Sequence, residues 1–303
     1  MIRPAAFDYN PETAQTNKMQ TPDPVLSSTA AARALDEFDG FVNALRSEGV
    51  AVEVFADSPQ PPKPDALFPN NWVSFHADGT VVLYPMQAEN RRRERNPAVV
   101  DLVVRNLRGR VSRVVDLTHW EGQGKFLEGT GSLVLDHVSR VAYACVSPRT
   151  DAGVVAEWCR EMGYEGCVFT AVDRAGVPLY HTNVMMCIGE RIVVVGSESI
   201  VAADRGRVLE RLRASGGREI VEIDHEAVAG FAGNMLELAS WDEALGDFRV
   251  LVMSAAARHV LSDDQFARIS ASTDTVLAVP VPTIERLGGG SVRCMLAEVF
   301  LPT

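Results

Sequence analysis

Apolar residues recur along this chain in two alternating rhythms. In AARALDEFDGFVNALRSEG, beginning at Ala31, Leu35, Phe38, Phe41 or Val42 and Leu45 fall at helical spacing, and VAVEVF follows as a strand. The order then repeats. NPAVVDLVVRNLRG from Asn96 precedes RVSRVVDL, and DAGVVAEWCREMG from Asp151 precedes GCVFTAV. VAADRGRVLERLRASGG from Val201 precedes REIVEI, and SDDQFARISAS from Ser262 precedes TVLAVPV. Most of these helices carry Asp, Asn or Ser near the start, where a side-chain oxygen can accept from free backbone N–H groups. Several have Gly near the end.

A strand pair is expected before each helix. NNWVSFHADGTVVLYP has an Asp-Gly turn between two runs of β-branched and aromatic residues. GSLVLDHVSRVAYACV, TNVMMCIGERIVVVG and NMLELASWDEALGDFRVLVM read the same way. The fifth pair must combine SVRCMLAEVFL from one end of the chain with MIRPAAF from the other. Each unit is then strand-strand-helix-strand, and the chain ends close a ring. The expected fold is α/β, a five-bladed pseudo-symmetric α/β propeller, as one catalytic domain over residues 1–303. An open α/β sheet is the competing architecture.

Composition narrows the function. With 303 residues and 47% hydrophobic content the chain can bury a large core without staples. A net charge of -11 argues against nucleic acid as a partner, because phosphate binding needs a basic surface. No signal-like segment and no bilayer-length apolar run are seen, so a cytoplasmic protein with no membrane partner is expected. The five cysteines, Cys145, Cys159, Cys167, Cys187 and Cys294, form no CxxC pair and are odd in number, so reduced thiols are expected. Four lie in apolar helical or strand-like runs, where a buried thiol is ordinary packing.

Cys294 is different, because it follows the glycine run GGGSVRC. Comparable polar clusters stand before the first strand of the other units: DALFPNNW from Asp65, FLEGTGS from Phe126, YHTN from Tyr180 and GFAGNM from Gly230. In a ring of such units these points converge, bringing Glu128, His181 and Cys294 together. A thiolate attacks carbon, a histidine moves the proton, and a carboxylate orients the histidine or the substrate nitrogens. The six histidines show no paired spacing, so neither a metal nor a cofactor is expected. Asn234 in GFAGNM occupies the fourth equivalent position, and Phe68 and Trp72 either wall the pocket or pack in the core.

These motifs resemble the guanidino-group modifying superfamily, the pentein α/β propellers. PDALFPNN is similar to its first acidic motif, LEGTGSL to its Glu-Gly motif, HTN to its histidine motif, GGGSVRCM to its nucleophile motif, and CVSPRTD to its Arg-Thr segment. IRPAAFDYNPETAQTN and FPNNWVSFH look most like the citrulline utilization hydrolase branch. The resemblance implies a Cys294 adduct on the central carbon of a ureido or guanidino group, with His181 as acid and base and Glu128 on the substrate nitrogens. It also implies that Asp65 meets the substrate α-amino group, and that Arg91 and Arg149 meet its carboxylate, with Arg92 and Arg93 as alternatives to Arg91.

Guanidinium-hydrolysing relatives usually carry aspartates where this chain has Asn71 and Asn183. A buried cation favours anionic partners, whereas an asparagine can donate to a carbonyl oxygen. The expected partner is therefore a small amino acid with a neutral ureido group, citrulline first, giving ornithine, ammonia and carbon dioxide. Arginine deiminase or dimethylarginine dimethylaminohydrolase activity, amidino transfer, and a non-catalytic binding propeller are the alternatives. The oligomeric state stays open, a homo-oligomer included.

Overall fold

The computed structural model describes residues 1–243 and 246–303. Four three-stranded sheets share one pattern. The first is β3 (Val73–Phe75), β4 (Thr80–Leu83) and β5 (Arg113–Asp116). The second is β6 (Val134–Asp136), β7 (Val141–Cys145) and β8 (Glu165–Phe169). The third is β9 (Met186–Ile188), β10 (Ile192–Val195) and β11 (Glu219–Glu222). The fourth is β12 (Leu236–Asp242), β13 (Gly246–Ser254) and β14 (Thr275–Val279). In each, the first two strands are antiparallel and the third is parallel to the second. A parallel neighbour needs a crossover, and a helix supplies it. The connection between β12 and β13 falls on 244–245, outside the described residues.

Three of the five crossover helices start at a side-chain cap. α1 is Ala30–Ser47, α2 Pro97–Asn106, α3 Ala152–Met162, α4 Ala202–Ala214 and α5 Asp263–Ala271. Asn96 accepts from Ala98 N at 3.0 Å, and Asp151 from Gly153 N at 2.8 Å. Ser262 and Gln265 form a reciprocal capping box. α1 buries Ala34, Phe38, Phe41, Val42 and Leu45, so Leu35 sits beside the apolar stripe, partly exposed. These residues join Val279, Val281 and Ile284 in one core cluster.

The fifth unit departs from the expected pairing. β1 (Ile2–Arg3) and β2 (Phe55–Ala56) are parallel partners flanking α1, but the C-terminal segment forms no ladder with β1. Val299 instead bridges to Phe75 on β3. The segment Val292–Met295 is a tight helical turn, buried at every position, so it lacks the one-sided alternation that marks a strand. Among the described residues, no helix is long and apolar enough to cross a membrane.

Candidate active site

Short helical turns deliver the polar residues. Asn71 ends the turn Pro69–Asn71, Glu128 precedes Gly129–Ser132, His181 precedes Thr182–Val184, and Cys294 lies in Val292–Met295. The turns are stitched to one another. Thr182 Oγ1 donates to Ser132 O at 2.6 Å, Asn234 Nδ2 to Asn183 O at 2.9 Å, and Arg293 N to Asn234 Oδ1 at 3.2 Å. Residues distant in sequence are thereby fixed by backbone-anchored contacts.

Asp65, Asn71, Arg91, Arg149, His181 and Cys294 line one buried cavity. Glu128 and Asn183 stand behind this lining, fully buried. His181 Nε2 lies 2.9 Å from Glu128 Oε2. Burial alone would raise the Glu128 carboxyl, but Arg149, His181 and Arg91 outweigh it and hold the group well below the usual carboxylate range. An ionised carboxylate only accepts, so the proton of this bond sits on Nε2, and Nδ1 of His181 is left as an acceptor. Burial pushes the imidazole down to about 4, with Glu128 pulling the other way. His181 is therefore neutral at pH 7 and free to take a proton.

Cys294 is 3% exposed and faces two amides. Asn234 Nδ2 lies 3.3 Å and Asn183 Nδ2 3.6 Å from its sulfur. Both amide nitrogens are placed to donate to the sulfur. Asn234, at the fourth equivalent position, thus contacts the Cys294 sulfur. Two neutral amides and a neutral imidazole leave Arg149 and Arg91 as the cations of the cavity wall.

Arg91 is the buried member of the Arg91–Arg93 run, while Arg92 bonds Met86 O and Arg93 is exposed. Its guanidinium is held by Glu94 through Nε at 3.0 Å and Nη2 at 2.9 Å, and by Asn71 Oδ1 through Nη1 at 2.8 Å. Burial opposes its charge, but Glu94 and Asp65 overcome this and hold it cationic. Glu94 was not among the residues expected from sequence, because its only signal is i,i+3 spacing from Arg91. Asp65 accepts from Asn10 Nδ2 at 2.7 Å and Thr13 Oγ1 at 3.1 Å, and its Oδ1 is buried without a partner. Phe68 lines the cavity, whereas Trp72 packs into the core with Val73 and Phe75.

A strap from Asn10 to Gln20 closes the cavity. Thr13 O accepts from Arg149 Nη2 at 2.6 Å, and Thr16 Oγ1 from Arg149 Nε at 2.8 Å. Asn17 Nδ2 donates to Gly289 O at 3.1 Å, and Gln20 Nε2 to Leu287 O at 2.9 Å. Gly289 has φ 59, and a Cβ there would meet Asn17 and Gln20 at 2.5 to 2.7 Å, so glycine is needed for both reasons. Tyr180 OH also donates to Gly289 O, and its ring packs on His181 at 4.6 Å between centroids. Gly131 admits a close approach of Asn71 and His181, since a Cβ there would lie 2.5 Å from Asn71 Nδ2 and 2.7 Å from His181 Nδ1. The space left is about 10 Å³, room for one water. Among the described residues no group of three or more His, Cys, Asp or Glu side chains could hold a metal.

This arrangement sits in a known fold. The structure superposes on ArgZ, described as an arginine dihydrolase from the ornithine–ammonia cycle in cyanobacteria, with TM-score 0.74 and 18% identity. That match covers 100% of this chain but 40% of ArgZ. The substrate-bound N-terminal domain of ArgZ matches with TM-score 0.73 and 17% identity, over 99% of this chain and 98% of that domain. A dimethylarginine dimethylaminohydrolase adduct with S-methyl-L-thiocitrulline matches with TM-score 0.63 and 18% identity, over 97% of this chain and 96% of that one. No curated protein matches the sequence. The family model described as N,N dimethylarginine dimethylhydrolase, eukaryotic, matches residues 3–301. The chain belongs to that family, within the guanidino-modifying pentein superfamily.

Proposed function

We propose that the chain, as one catalytic domain of pentein-propeller type, is a hydrolase of carbon–nitrogen bonds acting on the ureido or guanidino group of an amino acid, with citrulline as the first candidate. Cys294 gives its proton to His181 Nδ1 and its sulfur attacks the central carbon. His181 returns the proton to the terminal nitrogen, which leaves as ammonia. The S-carbamoyl intermediate is attacked by water, activated by His181, and Cys294 is released. The carbamate so formed loses carbon dioxide to give ornithine. Asn183 and Asn234 support charge on the sulfur, and Glu128 keeps the His181 proton on Nε2. Asp65 and Arg149 are the anion and cation for the α-ammonium and α-carboxylate, at the positions Thr13 now fills.

The observation that carries this reading is Asn71. Its Oδ1 is taken by Arg91, and its Nδ2 is buried at the cavity with no partner. A buried N–H seeks an acceptor, and a ureido oxygen is one where a guanidinium offers none. A substrate panel of citrulline, arginine, methylarginines and agmatine, read by ammonia and ornithine release, tests it. Arginine or methylarginine turnover without any citrulline turnover overturns the ureido assignment.

A second reading, hydrolysis of arginine itself, is favoured by the fold's likeness to an arginine dihydrolase. The chemistry is the same through the first step, with a thiouronium intermediate and citrulline as the product. Glu128, behind the lining, and Asp65, in it, are then the carboxylates that face the substrate's positive charges.

A further inference from the structure

The strands that start at the site residues run into a second cavity. β6 follows Glu128, β9 follows Asn183, β12 follows Asn234, and the C-terminal segment follows Cys294. Asp136, Gly189, Glu237 and Glu298 line this cavity further along the same segments. At up to about 3.3 Å per residue, offsets of three to eight residues along these segments separate the two linings by roughly 10–25 Å. The second has a volume of about 390 Å³, the size that takes a small molecule.

Its charges do not balance. Arg218 pairs with Asp136 through two bonds of 2.6 and 3.0 Å, and Arg249 pairs with Glu190 at 2.8 Å. Arg293 donates Nη1 to Met186 O at 2.8 Å. Two carboxylates then remain for one guanidinium. Glu237 accepts from Glu190 N through Oε2 at 2.6 Å, but its Oε1 is buried without a partner. Burial pushes the Glu298 carboxyl up to about 7, opposed only by Arg293. Ionised, the lining carboxylates Asp136, Glu190, Glu237 and Glu298 exceed the guanidiniums of Arg218, Arg249 and Arg293 by one charge, and a bound cation would favour the ionised form of Glu298 over the protonated one. The walls between them are aliphatic, from Leu135, Ile188 and Leu236, and the ring of Phe300 stands 43% exposed. Carboxylates and an aromatic ring lining one cavity are a setting that retains an organic cation.

We propose that this cavity binds a small organic cation, an alkylammonium or alkylguanidinium, with its charge between Glu237 and Glu298 and its chain along Leu135 and Phe300. Occupancy is felt at the nucleophile. Arg293 lines the cavity and directly precedes Cys294. Its backbone N–H holds Asn234 Oδ1, and the amide nitrogen of Asn234 faces the Cys294 sulfur. A cation beside Glu298 weakens the pull on the Arg293 guanidinium, and the Arg293 main chain passes the shift to Asn234 and Cys294.

The test is titration calorimetry of 1,4-diaminobutane and of butylguanidinium on the whole protein, before and after alkylation of Cys294 with iodoacetamide. Binding by either probe is expected to survive alkylation and to weaken by about tenfold or more in Glu237→Gln with Glu298→Gln. Saturating probe is expected to change the alkylation rate of Cys294 in the native protein and not in that double variant. No binding at millimolar probe, loss of binding on alkylation, full binding in the double variant, or an alkylation rate indifferent to the probe overturns the proposal. Should the double variant not fold, Phe300→Ala at the exposed rim must weaken binding severalfold, and unchanged affinity there is equally fatal. None of these readouts depends on which amino acid the catalytic cavity hydrolyses.

Discussion

Arg91 Nη1 donates to Asn71 Oδ1 at 2.8 Å, and this bond alone decides which way the Asn71 amide faces. An aspartate at the same place would satisfy Arg91 equally well and would present a second oxygen to the cavity in place of an N–H. Asn71→Asp is therefore expected to retain the fold and to move preference from the ureido toward the guanidino group. Hydrogen bonds to charged groups contribute about 1.5–3 kcal/mol, so the ratio of kcat/KM for arginine over citrulline should rise about tenfold to a hundredfold. Steady-state kinetics on both substrates, extended to Asn71→Asp with Asn183→Asp, measures this. Citrulline turnover surviving both changes with no gain on arginine would contradict the charge argument.

Cys294 should be the one cysteine that reports the chemistry. Burial pushes Cys145 and Cys159 up to about 11 and Cys187 up to about 12, and raises Cys167 as well. A thiol with a raised pKa is a poor nucleophile at neutral pH. Peptide mapping after brief iodoacetamide treatment is expected to find the adduct at Cys294 first. Cys294→Ser should lower kcat by at least about a thousandfold with an unchanged circular dichroism spectrum. Full activity in that variant would remove Cys294 from the mechanism.

The strap can be loosened without touching the reacting groups. Thr16 Oγ1 accepts from Arg149 Nε and donates to Gln87 Oε1 at 3.1 Å. Thr16→Ala deletes both bonds from the closed form. With about 1 kcal/mol per net hydrogen bond, opening becomes easier by a factor of about five for each bond lost. Labelling of Cys294 should speed up by that order in stopped-time mass spectrometry. An unchanged rate would show that the strap does not limit access.

His76 gives a pH prediction away from the site. It is buried, and its Nε2 lies 2.7 Å from Ser74 Oγ, which also meets Tyr84 OH. Burial pushes it down to about 4 from 6.5; His137, Arg140 and Arg113 push the same way, and Asp78 opposes them. For a base whose folded value lies below its unfolded one, the unfolded chain binds more protons between the two values, so stability falls as pH drops through that window. Compared with His76→Gln, the native chain should lose stability between pH 6.5 and about 4 and run parallel to it above. Urea melts of both proteins across that range check the sign. A difference independent of pH would mean that His76 is not held neutral.

The helices and most sheets were legible because each has one apolar side, and the rhythm of burial is written locally. The fifth unit was not, because Val292–Met295 is buried on every side and Val299 finds Phe75 rather than the N-terminal strand. The placing of Glu128, His181 and Cys294 around one cavity could be anticipated from the polar clusters before the strands. Glu94, the strap residues Thr13 and Thr16, and the contact of Asn234 with sulfur could not. Thr13, Thr16 and Asn234 owe their places to hydrogen bonds with residues far along the chain, which nothing in their immediate neighbours signals, and Glu94 has only its i,i+3 spacing from Arg91. Arg91 was identified, but not that Glu94 and Asn71 would hold its fork.

The stitched turns also govern when the chain becomes active. His181 meets Glu128 across 53 residues, Cys294 meets Asn234 across 60, and Asn183 meets Cys294 across 111. Each sheet can form from its own short stretch of sequence, but no single stretch contains a nucleophile, its base and its amide donors. Contacts of such sequence separation form late in folding. A refolding chain will recover its secondary structure first and its chemistry in the slowest phase, so turnover is a clock for the final closure of the molecule.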